Sequence, residues 1–264
     1  MKKNKIELQR QFVWNRWQEH AKKNAADPKA VIRDIHFRNL SNHIVSSYLN
    51  MTDLALDAGC GNGYATAFYS KFVKKIIGFD YTPQFIKAAE KKYSKLIRKG
   101  NLEFSVGDVL DLAFLKKNKF DKVITERTLI NLPSWEDQKK AILNFYSVLK
   151  PKGLLLMTEI TLQGHAAVDK IRKSVGLDII EKYPSNIYLD EPILDKFLSK
   201  YFIIKHKKHF GAYTLISKII HPLLVAPKPP KFDAKINRIA DVVSRNFLGE
   251  DMPSHNIFYV LEKR

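Results

Sequence analysis

The stretch LDAGCGNGYA, residues 56–65, sets glycines at positions 59, 61 and 63 directly after an apolar run that ends on Asp57. A strand that delivers the chain into such a turn, with a helix opening behind it, gathers backbone N–H groups and the positive helix end at one spot. Glycine there permits both the sharp turn and the close approach of a bulky ligand. This arrangement belongs to an α/β protein, in which ligands bind outside the carboxyl ends of parallel strands. The spacing Gly59-x-Gly61-x-Gly63 departs from the G-x-G-x-x-G of dinucleotide sites. Asp57, two residues before the first glycine, would repel a phosphate and can instead meet a cationic ammonium group.

The rest of the chain fits the same architecture. Short apolar runs at 54–59, 75–80, 102–108, 120–126, 153–160, 202–210 and 256–263 read as strands, and amphipathic segments separate them. The pattern predicts a doubly wound, seven-stranded, mostly parallel sheet with N-terminal helices in front of it. Residues 1–50 read as a helical cap, and 51–210 with 255–264 as the core. The segment 211–254, inserted before the last strand, is too long for a plain loop and is expected to form a helical lid. Within it, Ile236, Ile239, Ala240 and Val243 are expected to face inward, leaving Lys235, Arg238 and Arg245 available to a ligand. A homodimer interface is the alternative use of that insertion. Trp14 and Trp17, with Phe12, are expected to pack against the core rather than to cover a ligand.

Composition narrows the function. The one cysteine, Cys60, excludes a disulfide framework. No leader-like start and no run near the ~20 apolar residues of a membrane span is visible, so a cytoplasmic location is expected. Lys and Arg number 45 against 27 Asp and Glu, a net charge of +18, which suits nucleic acid, an anionic membrane face or a phosphorylated substrate. No His, Cys or carboxylate group has metal-ligand spacing, and no metal is expected.

Asp80, at the end of the second strand, is placed to accept hydrogen bonds from ribose hydroxyls. Asp108 and Val109, ending the third, offer an acceptor beside an apolar wall, as an adenine ring requires. Together with Asp57 they describe a nucleoside carrying an amino-acid tail. In LDAGCGNGYAT, GFDYTPQFI, SVGDVLDL and LKPKGLLLMTE, across residues 54–160, the sequence resembles the class I S-adenosylmethionine-dependent methyltransferases. The resemblance implies S-adenosyl-L-methionine as cofactor. It implies contacts from Asp57, Gly59, Gly61 and Gly63 in the glycine loop, from Asp80 to ribose, and from Tyr81, Asp108 and Val109 to adenine.

Methyl transfer requires chiefly that the acceptor be positioned and, where necessary, deprotonated. Glu126 and Arg127 end the fourth strand and are expected to face the reaction site, Glu126 within reach of the cofactor too. His165, just past the fifth strand, is the candidate general base, and Glu159 is either a substrate contact or a structural carboxylate. Arg33, His36 and Arg38 line the acceptor pocket or form an exposed helix face. His206 and His209, alternating with lysines, read as a solvated face. The (Asp/Asn)-Pro-Pro-aromatic tetrapeptide of base-amino methylases is missing, which counts against nucleic acid. ERTLINLPSWEDQKKAI and the flanking segments resemble a subgroup found in bacterial capsule and lipopolysaccharide gene clusters. The expectation is O-methylation of a small anionic acceptor, such as a nucleotide-linked sugar or phosphorylated capsule precursor, bound by Arg127 with lid cations. An RNA methyltransferase, a nucleotide-dependent oxidoreductase and a non-catalytic cofactor-binding subunit are the alternatives.

Overall fold

A computed structural model of the chain describes residues 2–115 and 119–264. Two helices, α1 (Lys2–Asn24) and α2 (Ile35–Ser46), precede the first strand, β1 (Leu54–Ala58). Then follow α3 (Tyr64–Tyr69), β2 (Lys75–Asp80), α4 (Pro83–Lys92), α5 (Ser94–Ile97), β3 (Leu102–Val106) and β4 (Phe120–Glu126). The second half runs α6 (Trp135–Val148), β5 (Leu149–Ile160), α7 (Leu162–Ser174), α8 (Glu191–Leu198) and β6 (Phe202–His209). The chain ends with α9 (Gly211–Thr214), a π-helical stretch Leu215–Ile220, α10 (His221–Val225), α11 (Lys235–Asn246) and β7 (Asn256–Lys263).

The seven strands form one sheet in the order β3-β2-β1-β4-β5-β7-β6. All pairings are parallel except those of β7, which runs antiparallel between β5 and β6. Its first residue, Asn256, pairs with Ile160, the last of β5, so the chain entering β7 lies at the carboxyl ends of the parallel strands. Successive strand residues point to opposite faces. Leu56, Val123, Leu155 and Tyr259 pack on one side with Ala141, Ile142 and Phe145 of α6. Their neighbours Ala55, Ile124, Leu156 and Phe258 pack on the other with Phe37, Leu40 and Val45 of α2. Both faces are thus covered by helices, as a doubly wound sheet requires.

Helix starts follow local chemistry. Asp34, Ser134 and Thr161 each accept a hydrogen bond from the N–H three residues on, at 3.1 Å, capping α2, α6 and α7. Pro83 opens α4, where its missing N–H costs nothing. Among the described residues no helix is long and apolar enough to cross a membrane.

The insertion differs from expectation. It is helical, but α11 packs against α2 and the Gly211–Ile220 helix rather than over the strand ends. Its buried side chains are Asn237, Ala240, Asp241 and Ser244, while Ile239 and Val243 are 49% and 39% exposed. Small and polar groups let α11 approach closely. Asn237 Nδ2 donates to the carbonyl of Phe232, and its Oδ1 lies 3.0 Å from His221 Nδ1. Trp14 and Phe12 also depart from expectation, at 46% and 52% exposed.

Candidate active site

At the end of β1 the three glycines hold φ of +77°, +54° and +72°, in the region that favours glycine. The N–H groups of Gly59 and Cys60 both donate to the carbonyl of Phe79, tying the turn to β2. Asp80 then secures it from the other side: Oδ2 accepts from Gly61 N–H at 3.0 Å and Oδ1 from Thr82 N–H at 2.8 Å. A cavity opens above this turn. Gly59, Gly61, Asp80, Tyr81, Asp108, Val109, Glu126 and Arg127 all line it. Asp57 and Gly63 do not. Asp57 sits behind the loop, 5% exposed, accepting from Thr66 Oγ1 at 2.6 Å, and a Cβ on Gly63 would fall 2.5 Å from Phe104.

Helix α1 closes the cavity with Trp14, Arg16 and Trp17. It is fastened at three points. Arg10 pairs with Asp137 at 3.0 Å, Trp17 Nε1 donates to Asn131 Oδ1 at 3.3 Å, and Arg16 bonds Ser185 while lying 3.7 Å above the Tyr183 ring.

A second cavity, about 590 Å³, adjoins the first, and both share Arg16, Trp17, Val31, Arg127 and Asn186 as wall. Basic residues on its lining are Arg16, Arg33, Arg127, Arg172, Lys218 and Lys231, against the carboxylates Asp34 and Glu181. Tyr183, Tyr188, Tyr213, Phe232 and His255 supply aromatic surface. Arg127 stands between the two spaces with φ of +53°, a conformation costly for a residue with a Cβ and concentrated at functional sites. Its N–H donates to the carbonyl of Thr158 at 2.8 Å, while its Nε is buried without a partner.

The model of the family described as "Methyltransferase domain" matches residues 51–187, just over half of the 264-residue chain. The chain belongs to that family. Among curated relatives, a probable methyltransferase, ltbC, of Aspergillus luteorubrus is 31% identical over 124 residues, covering 45% of this chain and 43% of that protein. A malonyl-[acyl-carrier protein] O-methyltransferase of Priestia megaterium is 25% identical over 177 residues, covering 64% and 60%. The methyltransferase chain therefore spans less than two thirds of the length of these relatives. The fold matches phosphoethanolamine N-methyltransferase 1 of Haemonchus contortus, solved with phosphoethanolamine and S-adenosylhomocysteine. There the TM-score is 0.66 at 13% identity, over 98% of this chain and 49% of that one. It also matches the N-methyltransferase NodS of Bradyrhizobium japonicum, solved with S-adenosylhomocysteine, at TM-score 0.59 and 12% identity, over 94% and 98%.

Buried carboxyls cluster at the floor and wall of the methyltransferase's first cavity. Burial raises the Asp57 carboxyl to about 7, with Glu126 and Asp80 adding to the shift and the Thr66 hydrogen bond and Arg38 opposing it. Burial likewise raises Asp80, against the hydrogen bonds from Thr82 and Gly61, and Glu126, against Arg38 and Arg127. Asp57 and Glu126 thus share one buried cation, Arg38, which is 2% exposed, and Asp80 has only backbone and hydroxyl donors. A positive ligand would relieve that crowding. Tyr81 OH and Glu126 Oε1 are buried without partners, two polar atoms left for a ligand to satisfy.

Other expectations divide. Glu159 proves structural: it is fully buried and accepts from the N–H groups of Thr128, Leu129 and Ile130 at 2.9, 2.7 and 3.4 Å. Burial still raises its carboxyl to about 8. His165 lines neither cavity. It lies inside α7 rather than on a loop, with its Nδ1 3.3 Å from His255 Nδ1. Arg33 reaches the second cavity, Arg38 is buried beneath the first, and His36 touches neither. His206 is exposed, but His209 is half-buried with an unpartnered Nδ1. The expected lid cations Lys235, Arg238 and Arg245 are absent from both linings, and Arg245 is paired with Asp241. Lys218 and Lys231 of the same insertion take their place. Sequence reasoning missed His255 and Lys218 and discounted Trp14 and Trp17. Their only signal was proximity to a strand start or spacing along a helix, which core residues share.

Proposed function

We propose that this methyltransferase binds S-adenosyl-L-methionine in the first cavity and methylates a small anionic acceptor, bearing a hydroxyl, in the second. The observation that carries the reading is Arg127, whose unpartnered guanidinium nitrogen sits in the wall between a cavity lined by Asp80, Asp108 and Glu126 and a second, cation-rich one. Bound S-adenosyl-L-methionine supplies an electrophilic methyl group on a cationic sulfur. The chain's own residues do the rest. Asp80 accepts the ribose hydroxyls, and Tyr81, Asp108 and Val109 border the adenine. Gly59 and Gly61 admit the amino-acid tail, and Asp57 lends its charge from behind the loop. Glu126, on the cavity wall with Oε1 unpartnered, would hold the positive sulfur end. Trp14 and Trp17 of α1 exclude water, which strengthens every charge interaction inside.

On the acceptor side, Arg127 meets a phosphate or carboxylate in bidentate fashion, and Arg33, Lys218 and Lys231 add to its field. The tyrosines offer flat surface for a sugar or aromatic ring. A nucleotide-linked sugar or phosphorylated glycan precursor fits this chemistry, in line with the sequence resemblance to members from capsule gene clusters.

Transfer of a labelled methyl group to sugar phosphates, nucleotide-linked sugars and their neutral counterparts tests the reading. Phosphorylated acceptors should be preferred, and Arg127→Ala should raise their KM at least about tenfold. Preference for neutral acceptors, with Arg127→Ala silent, would overturn the anionic assignment. S-adenosylhomocysteine binding that NAD displaces would overturn the cofactor assignment.

A further inference from the structure

We propose that Asp169, His165 and His255 form a proton relay in which His255 Nε2 is the general base for the acceptor hydroxyl. The role rests on the reading that the acceptor occupies the second cavity, on whose lining His255 lies.

The geometry begins with α7. Thr161 caps this helix, and Gly164 in its first turn lies against the backbone of Ser254, so the next residues along, His165 and His255, come side by side. Their rings stand 4.9 Å apart, with Tyr188 edge-on to both. His165 Nδ1 is 3.3 Å from His255 Nδ1, and His165 Nε2 is 3.4 Å from Asp169 Oδ2. Asp169 is itself anchored, its Oδ1 accepting from Ile180 N–H at 2.9 Å.

Donor and acceptor roles follow in one order. A carboxylate only accepts, so the Asp169 charge 3.4 Å from His165 Nε2 favours the proton on that nitrogen. His165 Nδ1 is then an acceptor, and His255 must donate from Nδ1. The lone pair of His255 is left on Nε2, which makes no hydrogen bond among the described residues.

The surrounding charges set when this base is strong. Burial, His165, Arg127 and Lys218 all hold the His255 imidazole well below its usual range, so it is neutral at physiological pH. Burial also lowers His165, which Asp169 raises and Lys182 lowers again. An anion seated against Arg127 and Lys218 offsets two of the groups that weaken His255. The base is therefore strengthened by the acceptor it serves. In the step itself, the acceptor's O–H proton passes to His255 Nε2 and the oxygen's freed pair bonds the methyl carbon. The sulfur keeps the pair of the broken S–C bond, leaving S-adenosylhomocysteine and an imidazolium that releases its proton to solvent.

The test is long-range proton–nitrogen NMR on histidine-labelled protein saturated with S-adenosylhomocysteine. At about pH 7.5 the expected tautomers are Nδ1–H for His255 and Nε2–H for His165. Asp169→Asn, which keeps the oxygen that Ile180 contacts, should lower the titration midpoint of His165 and disturb the His255 tautomer. Adding 4-hydroxyphenyl phosphate should raise the His255 midpoint by roughly one pH unit. An Nε2–H tautomer at His255, or spectra unmoved by Asp169→Asn, would overturn the relay. Tautomers as expected with a His255 midpoint that the probe leaves unmoved would instead overturn the siting of the acceptor against Arg127 and Lys218, and with it the role of the base.

Discussion

A Cβ placed on Gly164 would fall 2.3 Å from the carbonyl oxygen of Ser254, so helix α7 touches the chain entering β7 along a face that only glycine supplies. The contact joins two segments far apart in sequence at the carboxyl ends of the parallel strands. Gly164→Ala should cost about 1–3 kcal/mol, because backbone on both sides must shift to admit the methyl group. Urea unfolding gives the measurement. A variant as stable as wild type would mean that α7 and the β7 entrance are not packed this tightly.

Asp80 serves the loop and, in the proposed function, the cofactor. Asp80→Asn keeps one oxygen for the Gly61 or Thr82 N–H but removes the charge. We expect S-adenosylmethionine affinity to fall by roughly 1–3 kcal/mol, the worth of hydrogen bonds to a charged group. Unchanged affinity by calorimetry would remove the ribose assignment.

The Asp57 carboxyl, raised to about 7, is largely neutral at lower pH. A cationic ligand favours its ionised form, so binding should release a proton and tighten as pH rises through 7. The ratio of ionised fractions predicts affinity about tenfold higher at pH 8 than at pH 6. Asp57→Asn should flatten that profile. Equal affinities for the wild type across the range would exclude Asp57 from the ligand's field.

His255 gives a stability prediction of definite sign. Its folded-state pKa is depressed below the unfolded value, so its contribution is fully present above about pH 6.5 and is lost as pH falls toward the folded pKa. The stability difference between wild type and His255→Gln should therefore shrink on acidification below about pH 6.5. A difference that is constant from pH 8 to 5 in urea titrations would contradict the burial of a neutral imidazole.

The glycine turn and its neighbours were legible in the sequence because their determinants are local, although Asp57 and Gly63 lie behind the cavity rather than on it. Asp57, the three glycines and Asp80 lie on a strand, a turn and the next strand end, and a parallel sheet brings successive strand ends together by construction. The alternation of Leu56 with Ala55, and of Val123 with Ile124, likewise announces a sheet covered on both faces. What the tertiary structure alone decided concerns partners distant in the chain. The inward face of α11 was misread because its neighbours α2 and Gly211–Ile220 accept small and polar side chains, leaving Ile239 and Val243 outside. Trp14 and Trp17 became cavity wall through bonds from α1 to Asp137, Asn131 and Ser185, which helical periodicity cannot specify. His255 met His165 because β7 enters antiparallel beside β5, placing the residues before it at the carboxyl ends of the parallel strands. A sequence encodes which faces are apolar and where turns are permitted, and which distant faces meet is decided by how the helices and the last strand pack.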